Sequence, residues 1–423
     1  MNSGLENDLR KVIHRQIDLA GLKKNHMRAE KEVIDGQGVE PYVVQDGKKM
    51  LQMTSLDYLS LASDSRVIDA GCKAMKEYGV GSLPSPIVTG TLDIHIQLRK
   101  LLASYMNEED AIVFSSGMLT NIGTIQAIID PIYRYAINRP EKTQRVIFAD
   151  ALNHESIKMA CWLAENRGVA VHTYRHCDIQ HLDHLMCHHA GDLNLIVTDA
   201  MFSMEGDIAP LKPITQIAES FRTSQRQVVV YVDDAHGVGV LGDNGRGACE
   251  LCGVEQDVVR MGVVSKAFGT LGGYIVGPEW FIDFLCYSSS QIFSMGVPAA
   301  ETASTITAIN IAISEPWRRQ KLLENSEYLR KNLIEAGFEV LGDVHIISVI
   351  IGGEKESSQM AAGLKKNGIL CPEIKYPAVA LGKARMRISP VSAHSKSDLD
   401  LFLNVFVDVA KTTGVVTCPL SYS

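Results

Sequence analysis

An apolar, β-branched run, "VVVYV" (228–232), ends in two adjacent carboxylates, Asp233 and Asp234, with His236 two residues beyond. Burying a carboxylate is costly unless a cation or hydrogen bonds compensate. Lys266 follows a later run of the same kind, in "VVSKAFGTLGGY" (263–274). In the plainest case such a lysine makes an ion pair with the carboxylate. The chemically richer case is a Schiff-base lysine carrying pyridoxal phosphate (PLP). That chemistry needs an amine able to lose its proton and a carboxylate to pair with a protonated pyridine nitrogen. Asp233 then finds its cation in the ring itself, whose charge makes it an electron sink.

Two more stretches complete such a site. "VFSSGMLTNIG" (113–123) reads as a strand, a small-residue turn and a helix start, so the amides of Gly117 and Met118 can hold a phosphate at a helix N-terminus. "DALNHES" (150–156) puts His154 just past a strand end, where an imidazole can stack on the pyridine ring. Each of these has an ordinary structural reading by itself. Together, and in this order, they describe one cofactor site.

The elements that must position these residues are legible as alternating short apolar runs and amphipathic stretches from about residue 110. Strands are expected at 111–116, 145–150, 193–200, 228–235 and 260–265, with helices at 119–129, 154–166 and 211–223 between them. This alternation predicts a mainly parallel α/β sheet covered on both faces, with ligands beyond the carboxyl ends of the strands. Asp150, Asp199 and Asp233 fall near such ends. After about residue 300 a long helix leads into a smaller α+β domain, with strands at 345–353 and 384–392 around a helix at 357–368. The division expected is an N-terminal arm (1–60) with a charged helix near 6–25 and short strands at 42–53, a large α/β domain (61–300) and a C-terminal α+β domain (301–423).

With 423 residues, 46% hydrophobic and 21% charged, the chain has the composition of a soluble globular protein. A net charge of −8 argues against nucleic acid as the main partner. The polar N-terminus lacks the apolar core of a signal peptide, and no run is long enough to span a membrane, so a cytoplasmic protein is expected. Nine scattered cysteines suit reduced thiols. Cys249 and Cys252 form a CxxC without a second pair at zinc spacing, which reads as packing. Six of the thirteen histidines fall between His172 and His189. On a helix His181, His184 and His188 share one face, either as a solvated surface or as an adventitious metal site.

The chain resembles the α-oxoamine synthases, fold-type I PLP enzymes, through "LDYLSLA" (56–62), "GTLDIH" (90–95), "FSSGMLTN" (114–121), "DALNHES", "TDAMFSMEGDIAPL" (198–211), "VDDAHGVGVLGDNGRG" (232–247), "SKAFGTLGGY" (265–274), "IFS" (292–294) and "RMRISPVSAH" (385–394). The resemblance implies that Lys266 bonds covalently to the cofactor, Asp233 pairs with the ring nitrogen, His236 contacts the ring hydroxyl, His154 stacks on the ring, and Ser203 lies close by. Gly117, Met118 and Ser265 would serve the phosphate, and Ser294 that of a neighbouring subunit in a homodimer. Arg387 matches the arginine that takes the amino-acid carboxylate. Alternation along its strand is expected to turn Arg385 the other way, into solvent or an ion pair.

Several positions depart from the family pattern. Val263 stands where a phosphate-binding threonine is usual, Met295 replaces a polar residue, Leu56 an asparagine and Met118 an aromatic. The activity implied is condensation of a small amino acid (serine, alanine or glycine) with an acyl thioester on CoA or acyl-carrier protein, releasing carbon dioxide. Two rivals are an aminotransferase, using the same lysine and aspartate, and a noncatalytic partner subunit, which would be expected to have lost Lys266.

Overall fold

The computed structural model describes residues 6, 8, 11, 33–83, 85–129 and 143–415. Apart from residues 6, 8 and 11, the helix expected over 6–25 lies outside the described residues. The first two strands, β1 (Tyr42–Gln45) and β2 (Lys48–Gln52), form a hairpin. Its turn is Asp46–Gly47, both at positive φ, the conformation a two-residue "DG" connection favours.

The large sheet comprises β3 (Asp110–Phe114), β4 (Arg145–Asp150), β5 (Ala170–Tyr174), β6 (Leu193–Asp199), β7 (Gln227–Asp233), β8 (Val259–Val263) and β9 (Gly273–Gly277), in the order β3-β9-β8-β7-β6-β4-β5. All run parallel except β9, which is antiparallel to both its neighbours. Alternation in β7 shows why its apolar run is continuous. Val228, Val230 and Val232 enter the core on one face of the sheet, while Val229 and Tyr231 pack into the core on the other.

That same alternation, carried past the strand end, separates the two carboxylates. Asp233 stays on the side of Tyr231. Asp234 turns to the opposite side, where Oδ2 accepts the Cys249 amide at 3.2 Å at the start of helix Ala248–Cys252. Burial pushes the Asp234 carboxyl up to about 7, and the Ala248 and Cys249 amides partly offset this. Gly247, at φ +105°, is required here, because a Cβ would stand 2.1 Å from Asp234 Oδ2. Cys249 and Cys252 lie on this short helix with their thiols pushed up by burial, in keeping with packing rather than redox chemistry.

The remaining strands are β10 (Val340–Leu341), β11 (Ile347–Gly352), β12 (Ile369–Leu370), β13 (Glu373–Ile374) and β14 (Ala384–Ile388). Four of them make an antiparallel sheet, β10-β11-β14-β13, and β12 instead joins β2 in parallel. Leu51, Met53, Leu329, Met386, Phe402 and Phe406 share the core that fills this end of the molecule. The long helix Ala299–Ser314 packs along helix Ser65–Tyr78, and its Ala308, Ile309 and Ala312 enter the core of the large sheet. Among the described residues no helix is long and apolar enough to cross a membrane.

Candidate active site

Lys266, Asp233, His236, His154, Ser203, Gly117, Met118 and Ser265 line one cleft of about 140 Å³ at the carboxyl ends of the strands. Ser294 is not among its lining residues. The backbone N–H of Ser85 bonds to the Ser294 carbonyl (3.2 Å), beside an exposed apolar group that includes Phe293 and Met295. Arg387 lies behind the Ser203 wall. Its Nε donates to the Ser203 carbonyl at 2.6 Å and its Nη1 to Ser389 Oγ at 3.2 Å.

Asp233 is 6% exposed and tightly held. Oδ1 accepts the Ala235 amide at 3.0 Å, and Oδ2 accepts Asn121 Nδ2 at 2.6 Å. Asn121 also donates to Ser156 Oγ (2.8 Å), receives the Tyr231 hydroxyl on Oδ1 (2.7 Å), and so binds the helix after β3 to the start of helix Glu155–Glu165 and to β7. Ser156 Oγ lies 2.6 Å from His154 Nδ1, which caps helix Glu155–Glu165 and leaves the imidazole at the cleft. Neither Asn121 nor Ser156 carries a chemical signature in sequence. Only the fold brings them under Asp233.

His236 is buried, and desolvation, reinforced by the charges of Lys266 and Arg387, holds its pKa well below the ordinary value. Its Nδ1 lies 2.7 Å from the hydroxyl of Tyr58, whose pKa burial pushes up to about 12. A tyrosine that stays protonated donates to Nδ1, which assigns the remaining imidazole proton to Nε2. Tyr58 is aimed by Asp57, whose carboxylate accepts the Leu61 and Ala62 amides at 3.0 Å each.

The amine of Lys266 is brought down to about 8, chiefly by burial, with Asp233 and Asp199 opposing the shift and Arg387 adding to it. Asp199, the β6 neighbour of Asp233 in register, also lines the cleft. Burial next to Asp233 raises its pKa well above the ordinary value, and its Oδ1 is buried without a hydrogen-bond partner among the described residues.

Arg385 corrects the expectation from alternation. Residues two apart on a strand share a face, so Arg385 points the same way as Arg387. Its Nη1 reaches the Met204 carbonyl and Glu205 Oε1, both at 3.1 Å, in the loop that also receives Arg387. It is a buried ion pair, 5% exposed. On helix Ile179–His189, His184 and His188 are exposed, their rings 4.2 Å apart, and His181 accepts the Arg175 amide. These histidines form a solvated face.

The donor set fits PLP. A carboxylate stands at the end of β7, an amine poised near neutral pH faces it, and an imidazole sits beside them. The first amides of helix Gly117–Ile129 border the cleft, while those of Leu119 and Thr120 are already bonded to Ser116. The orphaned Asp199 Oδ1 adds a polar atom that a ligand would satisfy.

The model for aminotransferase class I and II matches residues 48–406. A putative 8-amino-7-oxononanoate synthase of Acetivibrio thermocellus is 36% identical over 379 residues, spanning 89% of this chain and 92% of its own. The 8-amino-7-oxononanoate synthase 2 of Bacillus subtilis is 37% identical over 374 residues, 88% and 91% of the two chains. Among solved structures, Sphingomonas wittichii serine palmitoyltransferase superimposes with a TM-score of 0.83 at 26% identity over 98% of both chains. The S. paucimobilis enzyme with PLP and myriocin bound gives 0.83 at 25%, again over 98% of both. Geometry and kinship agree: the chain belongs to the aminotransferase class I and II family and, within it, to the α-oxoamine synthases, the PLP-dependent acyltransferases of fold-type I.

Proposed function

We infer that the protein condenses a small α-amino acid (serine, alanine or glycine) with an acyl thioester, carried on CoA or an acyl-carrier protein, giving an α-amino ketone and carbon dioxide. The observation that carries this reading is the convergence in one cleft of a lysine brought to about pKa 8 with Asp233, His154 and His236, while Arg387 stands behind the Ser203 wall. Lys266, Asp233, His154, His236, Ser203, Ser265 and the amides of Gly117 and Met118 would hold PLP. When bound, that cofactor supplies an electron sink for the pair released as bonds at the amino-acid Cα break.

The chain's own groups account for the rest. Arg387, with Nε and Nη1 pinned, turns the remainder of a rigid fork toward the substrate carboxylate and orients Cα. At neutral pH a useful fraction of Lys266 Nζ is neutral and can take the Cα proton. The Nε2–H of His236 is a fixed donor for oxygen charge that develops as the new carbon–carbon bond forms. Asp233 is locked by Asn121 and Ala235, so it cannot swing away from a ring nitrogen.

Two observations support a homodimer with sites at its interface. The segment around Ser294 carries Phe293, 86% exposed, and Met295, 55% exposed, and the nearby 85–89 turn exposes Ile87 and Val88. Monomers rarely leave such a patch open to water.

The test is release of labelled carbon dioxide from carboxyl-labelled serine, alanine and glycine, with and without acyl-CoA. Thioester-dependent release with one of them is expected. Transfer of the amino group to a keto acid without carbon dioxide would replace this reading with an aminotransferase. Amino-acid-induced changes in the cofactor spectrum identify which substrate binds.

A further inference from the structure

A second cluster of titratable groups lies outside the cleft, where the end of β4, the turn after β5 and the loop after β6 meet. His176 Nδ1 is 3.0 Å from Asp150 Oδ1, and its Nε2 is 2.9 Å from Asp207 Oδ2. A ring with a carboxylate at each nitrogen is satisfied only when both nitrogens carry protons. Burial works against that charge, but the hydrogen bonds to Asp150 and Asp207 outweigh it and push the imidazole up to about 12. The groups facing it are Asp150 from β4, Asp207 from the loop, its neighbour Cys177, whose thiol burial keeps protonated, and the edge-on ring of Phe202. With both nitrogens committed to carboxylates, the ring has no lone pair left for a cation.

Each carboxylate belongs to a different wall of the cleft: the Asp150 carboxylate organises its own, and Asp207 closes its loop through the backbone. Asp150 Oδ1 also accepts the Leu152 amide at 2.8 Å, and Oδ2 accepts the Cys177 amide at 2.8 Å. Asp150 thus folds the turn whose last residue is His154. Asn153 continues that turn to β6, through Nδ2 to the Val197 carbonyl and Oδ1 from the Asp199 amide. Asp207 closes the loop that carries Ser203. Its carbonyl accepts the Phe202 amide, and Met201 bridges to Ile208 around it. In that loop the Ser203 carbonyl receives Arg387 Nε.

We propose that His176 is a positioning residue for this reaction. Its doubly protonated ring ties the turn that presents His154 to the loop whose Ser203 carbonyl aims Arg387, so that the wall beside the cofactor and the wall that reads the amino-acid carboxylate keep a fixed separation. The proposal rests on the function inferred above. Glutamine at this position can donate to one carboxylate but not bridge two, and it leaves the pair uncompensated.

Three measurements on the PLP-loaded enzyme test it. In long-range proton–nitrogen spectra of histidine-labelled protein at pH 8.5, assigned against H176Q or D207N, both ring nitrogens of His176 are expected to be protonated. A neutral single-tautomer pattern overturns the strut. In H176Q, kcat/KM for the amino acid is expected to fall at least tenfold, chiefly through KM. A value within twofold of wild type overturns the positioning role. In D207N the ring loses one carboxylate and returns toward the ordinary histidine range, so KM should rise with pH between about 6 and 8, as ionisation is lost. A profile as flat as wild type counts against the proposal. Wild type that releases no carbon dioxide would overturn the reading of function, and with it the kinetic half of this proposal. Wild-type turnover beside an unchanged H176Q overturns the proposal alone.

Discussion

Lys266 sits between two opposing influences, burial that drives its proton off and two carboxylates that retain it, and the balance falls at about 8. Only the neutral amine attacks an aldehyde. Below pH 8 most of the amine is protonated and unreactive, so capture of PLP by the apo-protein should speed up as pH rises through about 8 and then level off. Stopped-flow absorbance follows this directly, and a rate independent of pH between 6.5 and 9 would contradict the assignment. Lys266→Ala should bind PLP without any borohydride-stable link. Val263 offers a second test. Its Cγ1 lies at the cleft floor close against Gly117, where a hydroxyl could reach a phosphate instead. A hydrogen bond to a charged group contributes on the order of 1.5–3 kcal/mol, so Val263→Thr should tighten PLP by at least about tenfold. Equal or weaker binding in a titration of apo-protein would mean that the position serves packing.

Among the elements, the loop after β6 is the one on which both arginines converge. It is held from outside by the turn before β11. Gly206, at φ +77°, comes so near the Ile346 carbonyl that a Cβ would stand 2.5 Å away, and the Asp343 amide donates to the Gly206 carbonyl at 2.9 Å. Gly206→Ala combines a strained φ with a backbone clash, each costing on the order of 1–3 kcal/mol. A clear drop in melting temperature and a raised KM for the amino acid are expected, with PLP affinity changed much less. Equal losses in both would place the damage in the whole sheet. This loop also marks where sequence reasoning stops. The five strands expected in the sheet are present, and β4, β6 and β7 are the plainest because their apolar, largely β-branched runs are buried on both faces, a pattern visible in any sequence. β5 and β9 are not legible in the sequence, for physical reasons. β5 is an edge strand with polar His172 and Thr173, and β9 is a five-residue strand bounded by two glycines. The residues with distinctive chemistry (Lys266, Asp233, His154 and His236) were legible as a site. Asp199 was legible only as a carboxylate at a strand end, and Asn121, Ser156 and Tyr58 were not legible at all, because nothing in an asparagine, a serine or a tyrosine announces where the fold will bring it. The shared face of Arg385 and Arg387, against the expectation from the sequence, follows from period-two geometry alone.

At the scale of the whole molecule, Ile87, Val88, Phe293 and Met295 form an exposed apolar surface at the proposed second-subunit contact. If the dimer forms there, Phe293→Asp puts a charge into its centre, and charges at an interface core are poorly tolerated. Wild type should elute at twice the chain mass and the variant at the chain mass with activity lost. An active wild-type monomer in sedimentation would refute the arrangement. A different consequence follows from the pairing of β2 with β12. The hairpin of β1 and β2 leaves the ribosome long before the strand that completes its sheet, which lies roughly three hundred residues further along the chain, and contacts of such separation close late. During translation the open edge of β2 is therefore available to other nascent chains. That edge is sealed only when β12 docks on it, so a chain cut short before residue 369 keeps an unsealed strand.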